Sequence, residues 1–312
     1  MKRKIIKLGT ATLVTSLPAK WIKEFGLKQG DYIDVEEMKS NLILSTEKEI
    51  AKAEKKIDLK GVNTKLASYY IEAAYCIGYD RIEILHEPYI TEYKTNRKIS
   101  TSEFIQKEAN SFIGIEIIEQ SPEKTVLKDL GKVSDTEADN ILRRCFLLTK
   151  DMFNECFNAI KNKNKEVLKE MDSRGNNVQR FIYYYKRILN KKGYKDFNKT
   201  AVMYHNIEIL ADIVGITKYI AKESLLFRKD YTEKALKVFS MTTDSINKLD
   251  SLFFTFSKEK SMEIIKERAQ IWELMNTEKN KSTAEDAYLY SKLAMIVMNV
   301  SYLAIGRFYL EL

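Results

Sequence analysis

The sequence predicts a multidomain α+β chain. A small β unit comes first, then a small α/β module, then an all-α C-terminal half. Three observations carry this. The strand-like apolar alternation and the turn glycines crowd the first 46 residues. The three prolines, at 18, 88 and 122, all lie in the first 131 residues, and only four of the eleven glycines lie beyond Gly131. From Ser134 onward apolar side chains recur at three and four, the spacing of helices buried on one face.

In the N-terminal unit, 1–46, Ile5, Ile6 and Leu8 form a strand that ends at a Gly9 turn. Leu13, Val14 and Leu17 follow, and Pro18 pre-sets φ for a short helix, Ala19 to Phe25. Gly26 stops that helix, Gly30-Asp31 turns into the strand Tyr32 to Val35, and Leu42 to Leu44 closes the unit. A β-β-α-β-β unit this small does not bury a core alone, so a second copy is expected to complete it. Residues 1–28 hold seven basic side chains and one acidic one, Glu24. That is six net positive charges out of the chain's formal +8, and the polyanion it suits best is duplex DNA.

Residues 47–61 read as a charged linker, helical or semi-rigid. Residues 62–130 read as a small α/β module of unknown role. Asn63 or Thr64 caps a helix to about Cys76, halted at Gly78. Arg81 to Leu85 alternates as a strand. Ser100 and Glu103 open a second helix at capping-box spacing, and strands at Ile113–Ile118 and Thr125–Leu127 flank Ser121-Pro122. No phosphate loop, nucleophile elbow or ligand cluster appears here, and His86 reads as structural.

The helical half, 134–312, begins with the capping box Ser134-Asp135-Thr136-Glu137. Further helices are expected over about Lys165–Asn190, Asn198–Arg228, Tyr231–Phe256, Lys258–Asn276, and from Ser282-Thr283-Ala284-Glu285 to the C-terminus. The lengths suggest a duplicated three-helix unit, 134–229 and 230–312. Phe181, Tyr183, Tyr184 and Tyr185 cannot all face one way, so some are expected to be exposed, and core or oligomer packing is favoured over stacking on nucleic acid. Trp272 reads as core.

Cys76, Cys145 and Cys156 are odd in number, at no metal spacing, and read as reduced core thiols of a cytoplasmic protein. The basic N-terminus leads into no apolar signal segment, and the longest uncharged run, Leu293–Gly306, falls short of a membrane span. With no nucleophile–base pairing and two histidines, no enzyme is expected.

One constellation stands out. His205, Glu208 and Asp212 share a helix face, and two carboxylates one turn apart hold a cation through oxygen or simply face solvent, the commoner outcome. Asp172 with Asn176 beside Gly175 is a degraded acidic pair, and Glu263 with Glu267 a weaker candidate pair.

Two stretches resemble known families. Lys-Leu-Gly-Thr, Val-Thr-Ser-Leu-Pro-Ala-Lys-Trp and Gly-Leu-Lys-Gln-Gly-Asp, in residues 1–46, resemble the AbrB/SpoVT-type swapped-hairpin DNA-binding domain. That resemblance implies an intertwined homodimer laid on duplex DNA, with Arg3, Lys4, Lys7, Lys20 and Lys23 supplying charge and Thr10 and Thr12 supplying hydrogen bonds. Ile207-Glu208-Ile209-Leu210-Ala211-Asp212-Ile213 resembles the Glu-x-x-x-Asp signature of PhoU proteins, tandem three-helix bundles that regulate phosphate uptake. It implies a metal ion (iron, zinc or another divalent) on Glu208 and Asp212, although the matching stretch of the last helix, Met295 to Asn299, lacks the carboxylates. The fusion resembles archaeal phosphate-uptake regulators. It implies a dimeric transcriptional regulator with a metal- or partner-dependent sensor, or a signalling adaptor on a phosphate transporter component or a kinase whose N-terminal unit only dimerises.

Overall fold

The computed structural model describes residues 2–38, 41–46, 53–131, 135–278 and 282–312. In the first unit, β1 (Ile6–Leu8) and β2 (Thr12–Val14) pair antiparallel across a turn where Gly9 takes a φ of 70°. Pro18, at φ −63°, precedes α1 (Ala19–Glu24), and the left-handed Gly26 ends it. β3 (Asp34–Met38) and β4 (Asn41–Ser45) form a second antiparallel pair. The third strand therefore starts two residues later than its apolar alternation suggests. None of the side chains described in residues 2–46 is buried, and Ile5, Ile6, Leu8, Leu13, Val35 and Leu42 are all more than half exposed.

The expected linker is partly a strand. Residues 47–52 lie outside the described residues, but β5 (Glu54–Asp58) joins the sheet of the middle module. Its charged side chains disguise it, because only Ile57 points into the core, as on a half-covered edge strand. β5 runs parallel to β6 (Arg81–Leu85) through the crossover helix α2 (Thr64–Ile77). Asn63 caps α2 by accepting from the Leu66 N–H, and Gly78 closes it with φ 107°. A hairpin absent from the sequence reading follows, β7 (Tyr89–Thr91) with β8 (Lys98–Ser100). Then come α3 (Thr101–Ala109), capped by Ser100, and β9 (Ile115–Gln120) and β10 (Lys124–Asp129). The sheet order is β5-β6-β10-β9.

The helices of the C-terminal half are α4 (Asp135–Lys161), α5 (Lys165–Lys192), α6 (Thr200–Ser224), α7 (Glu233–Phe254), α8 (Lys258–Glu278) and α9 (Ala284–Glu311). The box expected at Ser134 lies outside the described residues. At α9 the cap is Thr283, accepting from the Asp286 N–H, one residue later than expected. The two halves share one hydrophobic core rather than two. They meet first helix to first, α4 on α7, and third to third, α6 on α9. Asn154 and Asn247 exchange amide hydrogen bonds across the α4–α7 contact. Trp272 packs half-buried against this core.

The aromatic run on α5 corrects one expectation. Ile182, Tyr185 and Leu189 enter the helical core, while Tyr184 and Ile188 enter the core of the middle module. Phe181 and Tyr183 are half-buried against one core each. None of the four is exposed, because the 181–189 segment of α5 lies between two cores and is covered almost all round. Arg187, 2% exposed, donates to the carbonyls of Tyr75 and Tyr79 and to Asp129 Oδ2 at 2.6–2.9 Å. It thereby satisfies the last turn of α2.

Cys76, Cys145 and Cys156 are free and buried. Burial pushes the thiols of Cys76 and Cys156 up to about 12, so they stay protonated and inert. His86 is buried, bonded to Thr125 Oγ1 at 2.9 Å and to the Glu87 carbonyl at 3.0 Å. α9 has the length and apolarity of a membrane span, the only such helix among the described residues. Leu289, Leu293, Ile296, Val300 and Leu303 on it are buried in the bundle core.

Candidate functional sites

The first candidate is the basic face of residues 2–46. Arg3, Lys4, Lys7, Thr10, Thr12, Lys20 and Lys23 are all exposed. Arg3 and Lys4 precede β1, and Thr10 lies in the turn between the strands. Lys7 pairs with Leu13 and Leu8 with Thr12, so Lys7 and Thr12 project to opposite faces of the hairpin. Lys20 and Lys23 sit three apart on α1, on one side, while Trp21 and Ile22 are half-buried. The charge is thus divided between the strand entry and the short helix, and every member of it faces water.

Residues 6–52 match the family model described as MazE, antidote-toxin recognition, bacterial antitoxin. The N-terminal unit is MazE-like. Its match falls on the stretch that carries the AbrB/SpoVT-type resemblance. No curated protein matches the chain. Among solved structures, the chain is similar to the phosphate transport system regulatory protein PhoU from Streptococcus pneumoniae. The two are 14% identical with a TM-score of 0.46, over 56% of this chain and 94% of that one. Beyond the MazE-like unit, the candidate sites rest on geometry.

The second candidate is the acidic face of α6. His205 and Asp212 are exposed and Glu208 is half-buried. Lys186, on α5 and only 5% exposed, places Nζ 2.7 Å from Glu208 Oε1. Burial, then the charge of Glu208, push the Asp212 carboxyl above its ordinary value, and Lys186 opposes them. The weaker pairs are organised the same way. Lys218 bridges Asp172 at 2.8 Å and Asn176 Oδ1 at 2.7 Å. Lys248 bonds Glu267, whose other oxygen accepts from Ser245, and approaches Glu263 at 3.6 Å. The Glu267 hydrogen bond holds the Lys248 ammonium above its ordinary value.

Each acidic pair that suggested a cation therefore already holds one, a lysine ammonium from a neighbouring helix. A divalent ion needs several oxygen donors in one shell, and Glu208 commits Oε1 to Lys186. Among the described residues, no group of three or more His, Cys, Asp or Glu is placed to hold a metal. The donors at Glu208 and Asp212 do not fit a resident metal. Sequence spacing shows the carboxylates but not the three lysines, which come from other helices and carry no motif.

Proposed function

We propose that the chain is a cytoplasmic, dimeric, DNA-binding transcriptional regulator of phosphate uptake. The observation that carries the DNA part is the unit with no buried side chain among its described residues. Apolar Ile5, Ile6, Leu8, Leu13, Val35 and Leu42 are left in water while the lysines face outward. A second copy covers the apolar residues, and the paired units then present a doubled basic surface to the phosphate backbone. The MazE-like match at 6–52 supports the same reading. The phosphate part is supported by the Glu208–Asp212 motif. Since lysines fill the acidic pairs, the helical half is assigned a protein partner, a phosphate transporter component, rather than a metal as its input.

The test is duplex DNA binding by the full chain across a salt series, beside a variant with Lys4, Lys7, Lys20 and Lys23 changed to Gln. The native chain is expected to show a steep log–log salt slope, with the variant's slope smaller by several units. Equal affinity and equal slope in both chains reject the reading.

A second reading, a signalling adaptor that docks on a transporter component, is favoured by the outer face of α9. Met295, Met298, Tyr302, Ile305 and Tyr309 repeat at three and four there and are all exposed. Salt-independent, weak DNA binding with retained dimerisation selects this reading.

A further inference from the structure

The middle module holds a cavity that the DNA reading leaves unused. At the carboxyl end of the parallel β5–β6 pair, the chain leaves β5 through Gly61 into α2. From β6 it runs through Glu87 to the hairpin and α3. A cavity of about 280 Å³ opens between these connections. Crevices outside the carboxyl ends of parallel strands are where open α/β sheets seat their ligands.

Two helix N-termini meet at this cavity. Asn63, the cap of α2, lines it, and so does Thr101, the first residue of α3. Helix N-termini direct partial positive charge and N–H groups outward. Gly61 lies in the loop before α2 with φ 74°, and a Cβ there would meet nothing within 4 Å, so the backbone is open to approach. Lys98 also lines the cavity, is exposed, and makes no ion pair among the described residues.

An independent observation points to a ligand. Thr101 is 1% exposed, and its Oγ1 is buried with no hydrogen-bond partner among the described residues. A buried hydroxyl without a partner loses its hydration for nothing, and valine would fill the same volume without that loss. Here Thr101 lines a cavity flanked by two helix dipoles and an ammonium. Glu87, an exposed carboxylate on the same lining, favours an anion that can also donate a hydrogen bond.

We propose that this cavity binds a small oxyanion, free or as the end group of a small molecule, held by Thr101 Oγ1, Lys98 and the N-termini of α2 and α3. The assignment does not depend on the DNA reading. It gives the middle module a ligand and places it on α2, whose far end Arg187 and Asn190 tie to α5.

The test is calorimetric titration of the full chain with inorganic phosphate, sulfate and acetate at constant ionic strength, with thermal unfolding in parallel. Thr101→Val and Lys98→Gln are the variants. Saturable binding of at least one anion is expected, weakened about fivefold or more in each variant. Without anion, Thr101→Val is expected to melt no lower than the native chain, which separates lost binding from lost folding. No saturation by any of the three up to roughly ten millimolar overturns the proposal. Binding untouched by both variants overturns it too, since the anion then sits elsewhere, as on the N-terminal lysines. Sulfate or acetate binding without phosphate supports the site and removes inorganic phosphate as its ligand. Phosphate binding that leaves DNA affinity unchanged supports the site but removes it from DNA control.

Discussion

Lys186 on α5 reaches Glu208 on α6, Nζ to Oε1 at 2.7 Å, with the ammonium side chain 6% exposed and the carboxylate side chain 44% exposed. The two partners are unequal. Removing Glu208 leaves a buried charge, whereas removing Lys186 leaves a carboxylate that water still reaches. Glu208→Ala is expected to destabilise by about 1–3 kcal/mol after discount for its exposure, and Lys186→Met by less than about 1 kcal/mol. Urea unfolding checks the order. Elemental analysis of the native chain after dialysis against manganese or zinc is expected to find no stoichiometric metal held at this pair.

Arg187 is the tie between the middle module and α5. It donates to Tyr75 O, Tyr79 O and Asp129 at once; Asp129 also accepts from Lys191 and the Gly131 N–H, and Tyr75 O from the Gly78 N–H. Arg187→Met is expected to cost about 2–4 kcal/mol, because it removes three buried charge-assisted hydrogen bonds and leaves the Tyr79 carbonyl without its guanidinium donor. Hydrogen exchange should then accelerate in the last turn of α2 before it does in α7 or α9.

Two carboxylates give stability opposite pH slopes. Burial works to raise the Asp129 carboxyl, but the Arg187 hydrogen bond and charge, with the Gly131 N–H and Lys191, bring it below its ordinary value of 3.8. Its contribution is present above that value and is lost as pH falls through the folded value. Glu72 is the reverse. Burial raises it above 4.5, with the Tyr183 hydrogen bond and Lys186 opposing and Glu208 adding. Its protonated form is favoured in the fold, so its contribution is present below 4.5 and lost as pH rises through the folded value. Asp129→Asn is expected to flatten the acid limb of a stability–pH curve. Glu72→Gln is expected to remove the decline above pH 4.5, so that the variant gains on the native chain toward neutrality.

Gly306 lets α9 approach α6. A Cβ at this position would run into the Asn206 side chain, which is 1% exposed with neither amide atom bonded among the described residues. Gly306→Ala is expected to destabilise by about 1–3 kcal/mol through overpacking. Combined with Asn206→Ala, the overlap disappears, so the double variant should lose less than the sum of the two single losses. Chemical denaturation of the four chains of that cycle measures the coupling.

The apolar side chains of residues 2–46 are expected to be covered only by pairing. Leu8→Asp and Val35→Asp should convert the dimer to monomer in sedimentation while leaving the melting of the helical half unchanged, since neither hydrophobic core contains a residue of that unit. DNA affinity should fall with dimerisation, because half the phosphate contacts are lost.

By itself the sequence determined the periodic elements. Pro18, Gly26, Gly78 and the caps at Asn63 and Ser100 act through backbone geometry within a few residues, so they are legible locally. The three-and-four spacing beyond residue 134 likewise records which face of each helix is buried. The small basic first unit was legible for the same reason, as a core too small for its apolar side chains. The tertiary structure alone decided what those faces meet. β5 was hidden by its charges, because an edge strand needs one buried residue and finds the rest of its pairing in β6. The aromatics of α5 were hidden by lying between two cores. Lys186, Lys218 and Lys248 turned candidate metal ligands into ion pairs from 15 to 46 positions away. The cavity at Thr101 exists because β5, the hairpin and α3 converge, and convergence of distant segments leaves no periodicity to read.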